Sequence, residues 1–173
     1  FSAPVVLHYD YTDAQLLHLL AHDSDPFNRW EAGQRLALKR AVHFIQSPSS
    51  PQEVRVLDAA FIDAMRAVLR HPALDAAFKE LVLTLPSETY ISEQLDVVDP
   101  QRVHAVREAM REQLASELAH DWQWAWDAHR DNGGYSPDTV SCGRRALAGL
   151  ALSMLCLAAR HNGDYLGEQF MQW

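Results

Sequence analysis

One long apolar repeat between residues 99 and 130 constrains the fold of this chain more than any other feature. It opens with Asp99-Pro100, a typical helix start in which aspartate is the N-cap and proline takes the first helical position. Apolar residues then recur every three or four positions: Val103, Val106, Met110, Leu114, Leu118, Trp122 and Trp126. The spacing predicts one continuous helix to about Arg130, with a length of about 45 Å. Such a helix needs other helices to cover its apolar face.

Shorter helical segments account for most of the remaining chain. They begin at the capping box Thr12–Gln15, at Asp25-Pro26, near Val54, near Asp75, after Ser136-Pro137 and near Asp164. The sequence therefore predicts an all-α fold, a layered antiparallel array of about seven helices with hairpin and right-angle packing. No repeat of fixed length is present, so a regular solenoid is not expected.

The apolar spacing also assigns a buried face to several of these helices. In the second helix, the predicted inward residues are Phe27, Trp30, Leu38, Val42 and Ile45. Its solvated side is predicted to carry Arg35, Lys39 and Arg40. In the third helix, which we expect to run from Val54 to Arg70, the inward residues are Leu57, Phe61, Ala64 and Val68. The segment 146–159 is apolar all round, which predicts a central position in a packed layer.

The first ten residues differ from the helical remainder. Val5, Leu7 and Tyr9 alternate with other residues as in a half-buried strand, yet no later segment offers a strand partner. A single strand is not stable alone. We therefore expect residues 1–10 to belong to a sheet formed by sequence upstream, and residues 11–173 to form a helical domain.

Composition and charge exclude several classes of protein. The 173 residues are 48% hydrophobic and carry a formal net charge of −8, which repels polyanions, so nucleic acid is not an expected partner. The uncharged run 146–159 is shorter than the roughly 18 residues typical of a membrane span. Cys142 and Cys156 lie in one predicted helix, about 21 Å apart, too far to form a disulfide bond with each other. No membrane span and a cytoplasmic location are predicted.

Four carboxylates lie close together in sequence between Pro86 and Pro100: Glu88, Glu93, Asp96 and Asp99. Such a cluster can hold a divalent cation or supply paired acid and base groups. However, the segment lacks the Asp/Asn/Gly rhythm of a calcium loop, and Asp99 is already explained as an N-cap. Val97 and Val98 are expected to be buried. We interpret this segment, here called the acidic corner (residues 86–100), as a turn between helices.

Two histidines and a cysteine are further candidates. His18 and His22 stand at i and i+4, the spacing of zinc-peptidase ligands. That chemistry also needs a third ligand and a glutamate after the first histidine, where this chain has Leu19. We therefore expect a surface or interface role for the two histidines. Cys142 near a helix start is interpreted as an ordinary helical cysteine.

An aromatic group near the end of the long helix leaves two interpretations open. The residues concerned are Trp122, Trp124, Trp126, His120 and His129. They can line an aromatic pocket, or Trp122 and Trp126 can be core residues on one helix face. In the second interpretation Trp124 points elsewhere and is a candidate for contact with another domain.

Several sequence blocks, in order, resemble a known family. They are FSAPV at 1–5 followed by L-x-Y-x-Y-T-D at 7–13, DPFNRWEAGQ at 25–34, LTLPSE at 83–88, DVVDP at 96–100 and REAMREQLASEL at 107–118. Together they are similar to the bacterial type of aminopeptidase N, the zinc alanyl aminopeptidases of the gluzincin family. The resemblance covers essentially the whole chain.

The resemblance implies a non-catalytic role for this chain. It would comprise the last strand of a β-sandwich (1–10) and the first half of a C-terminal helical domain (11–173), a bowl that covers the active site and restricts substrate access. The family's H-E-x-x-H zinc site lies in an upstream domain, so no catalytic, cofactor-binding or metal residue is expected here, and zinc belongs to the parent enzyme.

The implied partners are the upstream catalytic and β-sandwich domains of the same chain, with peptide substrates in the parent. The alternative is an autonomous helical protein-interaction module without enzyme activity.

Overall fold

The chain folds into helices joined mostly by short connections. The computed structural model describes residues 10–48, 55–130 and 133–162. The helices within these ranges are α1 (Asp13–His22), α2 (Pro26–Gln46), α3 (Ala59–Arg70), α4 (Ala76–Leu83), α5 (Glu88–Ser92), α6 (Pro100–Glu117), α7 (Ala119–His129) and α8 (Thr139–Asn162). No strand occurs in the described ranges, and the all-α fold class is confirmed. The predicted strand over residues 1–10 and the helix near Asp164 lie outside the described residues, apart from Asp10.

Local capping residues set the helix starts. Thr12 and Gln15 form the predicted capping box of α1, and the side chains of Asp25 and Asp99 accept backbone N–H groups at the starts of α2 and α6. The third helix begins later than predicted, at Ala59, because Asp58 caps it by accepting from the Phe61 N–H at 2.9 Å. The inward face predicted for α3 is confirmed, since Leu57, Phe61, Ala64 and Val68 are all buried.

The prediction of one continuous helix from Pro100 to Arg130 is wrong at Leu118. This residue separates α6 from α7, with φ −109° and ψ 19°. The indole N–H of Trp122 donates to the Leu114 carbonyl at 3.1 Å, and the same carbonyl accepts the Leu118 N–H. The backbone bond is thus kept, and the break coincides with a carbonyl that is shared between the backbone and a side chain. The apolar repeat is nevertheless buried from Val103 to Trp122.

The face predicted for α2 is only partly correct. Trp30, Leu38 and Ile45 are half-buried against the core, but Phe27 is 65% exposed. The fully buried side of the helix is formed by Arg29, Ala32, Gly33, Leu36, Ala37, Ala41 and Phe44. Small residues on this side let α2 lie close to its neighbours. The large apolar residues, on which the predicted face was based, lie at the edges of the buried side. Arg40 is not a solvated residue, because it is only 11% exposed and pairs with Asp58 and Asp13.

Helix α8 packs against α4, α6 and α7. Its buried side consists of Leu147, Ala148, Ala151, Met154, Leu155 and Ala158. It is not surrounded on every side, since Gly149, Ser153 and Cys156 are exposed. Asp138 rather than Ser136 caps its first turn, accepting the Ser141 N–H at 2.9 Å.

Length and composition alone make part of α8 a candidate membrane span. The stretch Thr139–Arg160 has a mean hydropathy of 1.4 over its best window, of which 44% is buried inside this chain. The sequence-based expectation of no span rested on the uncharged run alone and stays a prediction.

Candidate functional site

The acidic corner is an exposed junction between helices. Glu88 lies in the short helix α5, which the sequence did not predict, and its Oε1 lies 2.9 Å from His104 Nδ1. Asp99 caps α6 by accepting the Arg102 N–H at 3.1 Å. The expectation that Val97 and Val98 are buried is wrong, because they are 85% and 44% exposed. Within the described ranges, no three His, Cys, Asp or Glu side chains are grouped to hold a metal ion.

Backbone carbonyls next to the acidic corner join the sequence blocks that carry the family resemblance. Gln34 Nε2 in α2 donates to the Thr84 carbonyl at 2.9 Å, just after α4. Arg107 Nε in α6 donates to the Pro86 carbonyl at 2.8 Å. These carbonyls follow the last turn of a helix and have no partner in a regular ladder. The blocks at 25–34, 83–88 and 107–118 are therefore linked physically, and these contacts are structural.

The two histidines of α1 lie side by side on the surface. The ring centroids of His18 and His22 are 5.0 Å apart, and both residues are exposed. The described residues bring them no third ligand. Cys142 and Cys156 are both free thiols, in line with the predicted lack of a disulfide between them.

The chemically most unusual place in the described chain lies around Trp124, where α3, α4 and α7 meet. The guanidinium carbon of Arg70 is 4.3 Å from the Trp124 ring centroid, and Lys79 Nζ is 5.7 Å from it. The His129 ring meets the same indole edge-on, with centroids 6.0 Å apart. We call these four residues the Trp124 cluster. Trp124 thus packs within this chain rather than serving only as a contact for another domain.

Lys79 is the least expected member of the cluster. It is only 4% exposed, and within the described ranges its side chain forms no hydrogen bond or ion pair, which is rare for a buried lysine. Arg70, by contrast, has a carboxylate partner, since its Nε lies 2.7 Å from Asp121 Oδ1. Asp121 also pairs with Arg66 at 3.1 Å. Asp121, which pairs with Arg70 of the cluster, is therefore already shared by two arginines.

Burial and positive charge act together on the titratable groups here. Burial lowers the pKa of Lys79 below its ordinary value of 10.5, and Asp75 opposes this shift. The pKa of His129 is lowered below 6.5 by burial, by Lys79 and by Arg144. Burial together with Arg29 and Lys79 likewise lowers the pKa of His71. Burial removes the hydration of all three cations, nearby positive charges also act against the two histidines, and Asp75 offsets only part of the shift at Lys79.

Sequence reasoning found part of this cluster. It grouped Trp124 with His129, but it missed Lys79 and Arg70. A signal for Lys79 was present, since it precedes the buried Val82 and Leu83 by three and four residues and therefore shares their helix face. Arg70 had no comparable signal, because its contact with Trp124 joins residues that are distant in sequence.

Comparison with known proteins identifies the family to which this helical fold belongs. Residues 13–172 match the family described as a domain of unknown function (DUF3458_C) with ARM repeats. The chain belongs to this family of helical-repeat domains. The helices of the described ranges differ in length, from 5 to 24 residues.

Two relatives and one solved structure are similar to this chain. Aminopeptidase N of Caulobacter vibrioides is 37% identical over 85% of this chain, and aminopeptidase N of Escherichia coli is 35% identical over 98% of it. A crystal structure of Legionella pneumophila aminopeptidase A in complex with aspartic acid has the same fold over 93% of this chain, with a TM-score of 0.74 and 24% identity. This chain spans 17 to 19% of the length of these relatives. The resemblance to aminopeptidase N is confirmed.

Proposed function

We propose that this chain is the non-catalytic helical part of a cytoplasmic zinc aminopeptidase that removes amino-terminal residues from peptides. One observation carries the proposal: 98% of this chain aligns with a fifth of an aminopeptidase N, at 35% identity. The remaining four fifths of such a protein would supply the zinc-binding catalytic domain and the β-sandwich. His18 and His22 lack a third ligand among the described residues, so no step of the reaction is assigned to them.

The role proposed for this part is to cover the active site and restrict access to it. A covering element must keep its shape while peptides pass, which requires a continuous core. The described helices supply one, since buried side chains from α1, α2, α3, α4, α6, α7 and α8 form a single cluster. In this proposal the chain is a rigid cover that contacts the upstream domains. It does not span a membrane.

Activity measurements on two lengths of the protein test the proposal. The 173-residue chain should release no amino-terminal residue from alanine p-nitroanilide or from a peptide, with or without added zinc. The longer parent chain should cleave both, and a chelator should abolish this activity. Chelator-sensitive activity of the short chain, or a parent without an H-E-x-x-H sequence, would overturn the proposal.

The covering role needs its own comparison. Removal of residues 11–173 from the parent should increase cleavage of long peptides relative to alanine p-nitroanilide. The small substrate is the internal control, since its continued cleavage shows that the catalytic domain is folded. An unchanged ratio with the small-substrate activity retained would contradict a role in access.

Exposed apolar residues favour a second candidate, the autonomous interaction module. Val97, Tyr135 and Val140 are 85%, 82% and 72% exposed, so their side chains are available for contact with a partner. In the aminopeptidase proposal these side chains would contact other domains of the same chain. A binding partner of the 173-residue chain, found together with a parent that has no peptidase domain, would favour the module.

A further inference from the structure

The Trp124 cluster contains two polar groups without a hydrogen-bond partner among the described residues. The Lys79 side chain is nearly buried and forms no hydrogen bond or ion pair there, and His129 Nε2 is buried without a partner. Both groups border the same indole, at 5.7 Å for Nζ and 6.0 Å between the two rings. A nearly buried polar group that lacks a partner is unfavourable. Two such groups beside one aromatic ring are candidates for sharing one acceptor.

The carboxylates around the cluster do not match its positive charges. Arg70 and Arg66 share Asp121, whose side chain is 14% exposed. Arg144, on α8, donates to the Ala128 carbonyl at 3.3 Å and has no carboxylate partner in the described ranges. Asp75 influences Lys79 from the start of α4, but its Oδ1 accepts the Phe78 N–H at 2.8 Å. The positive excess at Lys79 is notable in a chain of net charge −8.

We propose that Lys79 Nζ and His129 Nε2 form a binding site for one carboxylate group beside the ring of Trp124. A carboxylate accepts hydrogen bonds only, so its two oxygens can satisfy both donors. Its single negative charge matches Lys79, and its plane suits the flat indole. A phosphate dianion carries more charge than these donors balance and needs more of them. The proposal is independent of the peptidase assignment.

Two sources can supply this carboxylate. One is a small molecule, and the other is an aspartate or glutamate side chain from another part of a longer chain. Either would return a counter-charge to Lys79, so its ammonium form would be favoured again. The pH midpoint of the Lys79 titration therefore reports whether a carboxylate occupies the site.

This midpoint can be measured with little spectral overlap, because Lys39 and Lys79 are the two lysines of the chain. Lysine labelled with ¹³C at Cε gives one NMR signal for each. Lys39 is the matched internal control, since it is exposed and pairs with Asp13 at 2.5 Å. We expect sodium acetate, exchanged for chloride at constant ionic strength, to raise the titration midpoint of Lys79 in a saturable manner. The midpoint of Lys39 should not move.

Substitutions locate the effect. Lys79→Met should abolish the acetate response of the Trp124 indole N–H signal, whereas Lys39→Met should leave it intact. His129→Gln should weaken the response at least several-fold. Inorganic phosphate should bind more weakly than acetate. Equal responses of both lysines, no response of Lys79 in either length of chain, or tighter binding of phosphate would overturn the proposal.

The longer parent chain separates the two sources, with Lys79→Met used to assign the signal. If an internal acidic side chain occupies the site, Lys79 will titrate high in the parent without acetate, and acetate will add nothing. If the ligand is a small molecule, the parent will respond to acetate as the 173-residue chain does. A midpoint that stays low in the parent and does not respond to acetate would contradict both.

Discussion

The acidic corner and the Trp124 cluster both contain ionisable side chains but differ in how these are solvated and paired. At the corner, Asp99 caps a helix, Glu88 pairs with His104, and the carboxylates are open to solvent. In the Trp124 cluster, Lys79 is 4% exposed and forms no ion pair with a described residue. A charge in water costs little, whereas a buried charge without a partner costs several kcal/mol. The density of charged residues in a sequence therefore indicated the less informative of the two regions.

The largest effect is expected where α4, the helix that carries Lys79, meets α8. A Cβ added at Gly143 would lie 2.9 Å from both the Cβ and the backbone nitrogen of Ala77. The backbone of Ala77 leaves no room for this methyl group at the present helix separation. Gly143→Ala should therefore push α4 and α8 apart and lower the free energy of unfolding by about 1–3 kcal/mol. Urea denaturation measures this.

Gly149→Ala is the matched control in the same helix. It has nothing within 4 Å of the added Cβ, so it should raise stability by about 0.5–1 kcal/mol. The ¹³Cε signal of Lys79 should shift in Gly143→Ala and stay in place in Gly149→Ala. Equal stability changes for both variants would contradict the close approach of α4 and α8.

A smaller effect is expected from the one carboxylate of the corner that has a clear structural task. Asp99→Ala removes the N-cap of α6 and should cost about 1 kcal/mol. Asp99→Asn keeps a capping oxygen and should be close to neutral. Thermal unfolding distinguishes the two. If Asn and Ala cost the same, the charge of Asp99 matters for a reason other than capping.

Substitution of Lys79 should have a pH-dependent effect with a definite sign. The pKa of Lys79 is lowered on folding, so the unfolded chain binds this proton more tightly. The cost is fully present below the folded pKa and disappears as the pH rises toward 10.5. In chloride buffers, Lys79→Met should therefore be at least as stable as the unmodified chain near pH 7, with the difference shrinking toward pH 10.5.

Lys39→Met is the control for that titration. It loses an exposed ion pair with Asp13 and should cost about 0.2–1 kcal/mol. A loss of stability near pH 7 in Lys79→Met, with no change in the difference toward pH 10.5, would show that Lys79 has a partner in solution.

The smallest effect is expected for the remaining carboxylates of the corner. Glu93→Gln and Asp96→Asn, alone or together, should change the unfolding free energy by less than about 0.5 kcal/mol, because both residues are exposed. Addition of Ca²⁺ or Zn²⁺ should not alter the melting temperature in a way that depends on these residues. A rise in melting temperature on addition of metal, abolished by the double substitution, would show that the acidic corner binds metal.

Sequence alone determined the features that depend on neighbouring residues. The starts of α1, α2 and α6 were predicted because a capping side chain binds an N–H two or three residues away. The inward face of α3 followed from spacing for the same reason. The all-α class followed from many such local signals taken together.

Tertiary structure decided what depends on residues far apart in the chain. Small residues bury α2 on a side that the count of large apolar residues did not select. The break at Leu118 depends on how the Trp122 indole reaches the Leu114 carbonyl. The Trp124 cluster joins Arg70, Lys79 and His129 from three helices, and no local pattern encodes that meeting. Whether a charge is solvated or buried is set by all the elements packed around it, so sequence spacing could locate the acidic corner but not the unmatched charge of Lys79.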